Sequence, residues 1–117
     1  MPLRKMVERL TKPTDEIDRE QLTEFCAVRS LAPMDGLVPR RPVRVGGEIK
    51  SVRIVPRAGA PALEVTVSDG RGSLVAVFLG RRKLAGMSPG RRVAFEGVVA
   101  DNGMRATITN PAYELLT

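Results

Sequence analysis

Histidine and tryptophan are absent from this 117-residue chain, cysteine occurs once, and the aromatic residues are only Phe25, Phe78, Phe95 and Tyr113. Each shortage excludes something. Without histidine and with a single thiol there is no ligand set for a zinc site, and the usual partners of nucleophilic or acid–base catalysis are missing. One cysteine forms no intrachain disulfide, which fits a reducing, cytoplasmic setting. No apolar run approaches the roughly 18 residues of a membrane span. The N-terminal Met1-Pro2-Leu3-Arg4-Lys5 leads into charged residues and not into the apolar core of a secretory signal. A non-enzymatic protein without cofactor, metal or membrane partner is expected.

What is present is basic charge in one place. Residues 1–30 hold six basic and six acidic groups, while residues 31–117 hold 13 basic and 7 acidic ones, so the whole net charge of +6 falls in the second part. A basic excess confined to one module is the footprint of a polyanion-binding surface, or of a solvated surface kept for solubility.

The chain divides accordingly. Leu3, Met6, Val7 and Leu10 have the spacing of one helical face, and Pro13 ends that helix. Thr14 is placed to cap a second helix running to about Arg29, with Asp15, Glu16 and Asp18 in its first turn and an apolar stripe of Ile17, Leu22, Phe25 and Cys26. Residues 1–30 thus read as a helical extension and 31–41 as a proline-containing linker. Such short helices are not stable alone, so they must dock on the rest of the chain or on a partner.

From residue 42 the pattern is β. Val43–Val55 alternates apolar and polar residues, and Gly46-Gly47 marks a bulge or bend that lets one long strand serve two edges of a closing sheet. After a turn at 56–61, Ala62–Ser68 and Ser73–Leu79 flank Asp69-Gly70-Arg71-Gly72, whose two glycines suit a tight reversal. The first of these strands points Leu63, Val65 and Val67 one way and Glu64, Thr66 and Ser68 the other. The second is apolar on both faces, so its outer face, with Val75, Val77 and Leu79, needs a cover: the helices, a second subunit or a ligand. Residues 80–90 have room for a helical turn. Arg91–Ala100 and Met104–Thr109 complete five strands around an Asp101-Asn102-Gly103 hairpin signal.

Five strands with a long bent first one and a helical turn between the third and fourth outline a five-stranded Greek-key oligonucleotide-binding (OB) barrel. Asp69-Gly70-Arg71-Gly72-Ser73-Leu74, Val77-Phe78, Ser88-Pro89-Gly90, Phe95-Glu96-Gly97-Val98 and Asn110-Pro111-Ala112-Tyr113-Glu114-Leu115-Leu116 resemble the OB-fold wedge domain of the RecG branched-DNA helicase. The resemblance covers about residues 42–117, and the first part is also similar to the anticodon-binding barrels of some aminoacyl-tRNA synthetases. Small free-standing proteins of this kind occur in high-GC actinobacteria, whose residue usage is similar. The resemblance implies binding of single-stranded or branched DNA, or RNA, across strands two and three and the flanking loops. The helicase motor is absent, so unwinding is not implied.

The residues expected to carry that binding are Arg44, Lys50, Arg53, Arg57, Arg81, Arg82, Lys83 and Arg105, contacting phosphate without reading sequence. Thr66 and Ser68 would add hydrogen bonds. Phe78 is the one aromatic of the matched region that would serve as a stacking platform, although alternation places it on the inward face with Leu74 and Ala76. The competing expectation is a protein-interaction or assembly module, or an accessory subunit, meeting a protein partner or a second copy through the N-terminal helices or strand three.

Overall fold

The computed structural model describes residues 14–101 and 104–116. The helix expected over residues 3–10 and the Asn102-Gly103 turn lie outside these. Helix α1 (Thr14–Ala27) is followed by a single 3-10 turn (Met34–Gly36) and six strands: β1 (Pro42–Arg57), β2 (Ala60–Ser68), β3 (Ser73–Leu79), β4 (Arg92–Asp101), β5 (Ala106–Thr109) and β6 (Ala112–Leu115).

The sheet closes into a ring because β1 changes partner along its length. Its first half, Pro42–Glu48, runs antiparallel to β4, and Glu48–Arg57 runs antiparallel to β2. The other strands follow in the order β2, β3, β5, β4, with β3 and β5 parallel. Gly46 and Gly47 sit at the changeover. A Cβ on Gly46 would run into the Val93 carbonyl and one on Gly47 into that of Ser68, so the two glycines permit close approach of neighbouring backbones. The register shift lies three residues on, between Ile49 and Ser51, and leaves Lys50 as the extra residue. Val45 and Ile49 before it and Val52 after it all reach the same core.

That core fills the ring with Val45, Ile49, Leu63, Val65, Val67, Leu74, Ala76, Phe78, Val93, Phe95, Val99 and Ile108. The inward sets expected for strands two and three are therefore found. Four local expectations are corrected. Only Gly70 of the Asp69–Gly72 turn takes a positive φ (87°), while Gly72 lies against Met34. The first hairpin turns on Ala58 and Gly59, both with positive φ, and is tighter than the 56–61 turn expected. Residues 80–91 contain turns and no helix. The closing segment forms a strand, β6, pairing with β4 from Glu96↔Ala112 to Val93↔Leu115.

Helix α1 docks on the outside of the ring. Leu22 and Cys26 are buried with Leu31 against Ala94, the Cys26 thiol donates to the Gly46 carbonyl at 3.5 Å, and the Thr23 hydroxyl donates to the Asp69 carbonyl at 3.0 Å. The segment after it, which reads as a linker, is itself packed: Leu31 and Met34 are buried, and the Met34 amide donates to the Asp69 carboxylate at 2.8 Å. That buried carboxylate also accepts from the amides of Arg71 and Gly72, so one side chain holds both the β2–β3 turn and the 3-10 turn.

Two outcomes follow. Gly46→Ala should destabilise the fold by about 3 kcal/mol or more, because its Cβ meets backbone that cannot step aside, as read from urea denaturation midpoints. Burial, reinforced by the charge of Asp69 and opposed by Arg92 and Arg29, pushes the Cys26 thiol up to about 11. A thiol-specific disulfide reagent should therefore leave the native protein unmodified at pH 8 and titrate one thiol once it is unfolded.

Candidate nucleic-acid interface

The outer face of β1, β2 and β3 carries an arginine cluster built around one carboxylate. Glu64 on β2 faces Arg53 on β1 and Val77 on β3. It is only 3% exposed, and it accepts hydrogen bonds from Arg53 (Nε 3.3 Å and Nη2 3.2 Å, both to Oε1) and Arg57 (Nη2 to Oε2, 3.3 Å). Arg105, from the loop before β5, places its Nη2 3.6 Å from Oε2. The floor around Glu64 is apolar, with Ala62, Val75 and Val77 buried together, while Leu79 at the end of the same face of β3 is 49% exposed.

Strand geometry explains the convergence. Arg53 and Arg57 lie four apart on β1 and so share a face, and the β4–β5 connection brings Arg105 to them. Burial by itself raises a carboxyl's pKa. Here it is outweighed by the hydrogen bonds from Arg57 and Arg53 and the charges of Arg105 and Arg53, and Glu64 is held below its ordinary value. Three guanidinium groups thus share one buried carboxylate.

Arg81, Arg82 and Lys83 leave the sheet at the same end. The Gly80 amide donates to the Pro61 carbonyl at 2.8 Å, beside the β1–β2 turn that carries Arg57. All three are exposed, and no carboxylate among the described residues pairs with them. Thr66 lies half-buried on the Glu64 face, two residues along β2.

Four expected residues are placed elsewhere. Arg44 lies on the β4–β6 side, bonded to Glu96 (2.8 Å) and Glu114 (2.9 Å), and the bonds from Glu114 and then Glu96 raise its pKa. Its charge is more than cancelled locally. Lys50, pushed out by the bulge, pairs with Glu48 at 2.6 Å. It lines a cleft of about 560 Å³ between α1 and the bend of β1, together with Asp18, Arg19, Glu48, Ser68 and Arg92. Ser68 belongs to that cleft, and its hydroxyl accepts from the Gly70 amide at 3.1 Å, a turn-holding role. Phe78 is only 5% exposed in the core, with its ring centroid 6.1 Å from that of Phe95 and 5.8 Å from that of Tyr113. A ring enclosed in this way offers no face to a base, and Phe78 is withdrawn from the interface.

Glu64 was the residue that sequence reasoning passed over. Its one signal was position: an acidic side chain on the outward face of a strand otherwise flanked by basic segments.

No helix among the described residues is long and apolar enough to cross a membrane. Because the folded pKa of Glu64 is depressed, the stability it contributes is present above its unfolded value, about 4.3, and is lost as pH falls through the folded value. Glu64→Gln should therefore lower the urea midpoint at neutral pH, and the gap between variant and parent should close in acid, where the parent's Glu64 is also neutral. A gap that stays constant with pH would remove the carboxylate's charge from the account. Comparison with known proteins adds no relative to this geometry: no protein-family model matches the chain, and no curated protein is similar to it.

Proposed function

We propose that this protein is a non-enzymatic, OB-type binder of single-stranded or branched nucleic acid, DNA or RNA, with little sequence selectivity. The observation that carries the reading is the convergence of Arg53, Arg57 and Arg105 on one face, next to the unpaired Arg81, Arg82 and Lys83. Arg53, Arg57 and Arg105 over Glu64, with the Arg81–Lys83 loop leaving the sheet at the Arg57 end, form an electrostatic track for a phosphodiester chain.

Topology supports the OB reading. The ring closes with five strands, and β1 lies between β4 and β2, an arrangement compatible with the Greek-key barrel expected. The absence of an aromatic side chain among the residues of this face shifts the binding from base stacking to phosphate contacts, which carry no sequence information. Catalysis finds no support in the residues: the chain has no histidine, and its one thiol is buried.

The interaction-module alternative is weakened by the same structure. Val75 and Val77 are buried against Ala62 in the same chain, and α1 is already seated on Ala94 and Gly46. Of the features that invited a protein partner, α1 is met internally and the outer face of β3 is met at Val75 and Val77, with Leu79 left exposed.

Titration of a labelled single-stranded oligonucleotide across a series of salt concentrations tests the proposal. Log affinity should fall linearly with log salt, by about 0.7 per phosphate neutralised. Replacing Arg81, Arg82 and Lys83 together by Ala should flatten that slope by about 2. Absence of binding at low salt, or a slope unchanged by the triple substitution, would overturn it.

A further inference from the structure

The arginine cluster is shaped for a point and not for a track. The Nη2 atoms of Arg53, Arg57 and Arg105 lie 3.2, 3.3 and 3.6 Å from the oxygens of a single carboxylate, so three guanidinium heads are held about one spot. Beneath them Glu64 is 3% exposed, while the arginine side chains above it are 65%, 46% and 40% exposed. The result is two tiers: a buried anion that draws three like charges together, and a layer of guanidinium groups turned to solvent.

An internal phosphodiester carries one negative charge, and its neighbours along the chain cannot reach the same spot. A phosphomonoester carries about 1.5 to 2 negative charges at pH 7 on three acceptor oxygens. Those oxygens suit the forked geometry of arginine donors. Thr66 on β2 and Thr107 and Thr109 on β5 add hydroxyl-bearing side chains to the same face, opposite Ser51, Val75 and Val77.

We infer that the Arg53–Arg57–Arg105 cluster, backed by Glu64, is a binding site for a single dianionic phosphate, the terminal phosphomonoester of a nucleic-acid strand. This rests on the nucleic-acid reading above and makes it more specific. The protein binds strand ends in preference to strand interiors, with the Arg81–Lys83 loop holding the adjoining chain. Glu64 is a positioning residue: it sets the spacing of the arginines and does not touch the ligand.

The group expected to titrate is the ligand's own. Arg53 and Arg57 from β1, Arg105 and Asp101 from the β4–β5 region, Glu64 from β2 and the Arg81–Lys83 loop are the charged groups around the site, while β3 and β5 present Val75, Val77, Thr107 and Thr109. The chain has no histidine. A pH effect between about 5 and 7.5 would therefore report the second ionisation of the phosphate, near 6.

The test measures binding of one single-stranded oligonucleotide in three forms: 5′-phosphorylated, 3′-phosphorylated and without a terminal phosphate. A mononucleotide and inorganic phosphate serve as further arms. A terminal phosphate at one end should tighten binding about tenfold, the worth of one hydrogen-bonded charge pair, and the advantage should shrink on going from about pH 7.5 to pH 5. Arg57→Gln should abolish the advantage, while the Arg81, Arg82 and Lys83 triple Ala variant should keep it and bind every form more weakly. Glu64→Gln, if it folds, should also lose the advantage despite its extra positive charge, because the arginines are no longer held together.

Equal affinity for all three oligonucleotides, with a steep salt slope, would overturn the inference and leave the nucleic-acid reading standing. Binding of inorganic phosphate and the mononucleotide as tight as that of the phosphorylated oligonucleotide would keep a phosphate site but overturn its assignment to strand ends. An advantage that survives Arg57→Gln would overturn the assignment to this cluster.

Discussion

The change of partner along β1 is the constraint on which the rest of the molecule depends. One strand hydrogen-bonds to β4 through its first half and to β2 through its second, and this is what turns a sheet into a ring. The handover needs backbones closer than side chains allow, which Gly46 and Gly47 permit. It also needs a twist between the two halves, which the extra residue at Lys50 introduces. Once the ring is closed, its inside is a packed core and its outside is divided into separate surfaces, each available to a different task.

One of these surfaces is occupied by the chain itself. Helix α1 covers Ala94 and Gly46, and Asp69 ties the segment after it to the β2–β3 turn with three hydrogen bonds. The β4–β6 side is neutralised, with Arg44 shared between Glu96 and Glu114. The arginine face differs because three arginines there share one carboxylate. A buried carboxylate that gathers guanidinium groups costs desolvation, which the surrounding hydrogen bonds offset in the lowered pKa of Glu64. Such a cluster is weak as a source of stability and strong as a means of fixing geometry.

Much of the fold was legible because it rests on short-range rules. The period-two pattern of Leu63, Val65 and Val67 and of Leu74, Ala76 and Phe78 correctly assigns the inner face, since pleating sends successive side chains to opposite sides whatever the partners are. Alternation also argued for Phe78 as core against its use as a platform, and the core reading holds. The sixth strand was harder. Ala112–Leu115 shows no alternating signal of its own and becomes a strand only because the open edge of β4 is there to pair with. Residues 80–91 fail as a helix for a related reason: their length suits one turn, but Gly80, Gly86 and Gly90 all take positive φ and break the segment into bends.

The basic residues mark the boundary between the two kinds of information. The sequence alone determined that the positive excess lies in residues 31–117 and that the chain has no histidine and a single cysteine, and alternation along it marked the second part as β. Which charges survive was decided only by the tertiary structure. Arg44 and Arg53 stand on one strand, yet the first meets two carboxylates contributed by β4 and β6 and the second joins two other arginines over Glu64. Neighbours along a strand are set by the pleat, but neighbours across a sheet are set by register between segments remote in sequence, and electrostatic interaction follows distance in space.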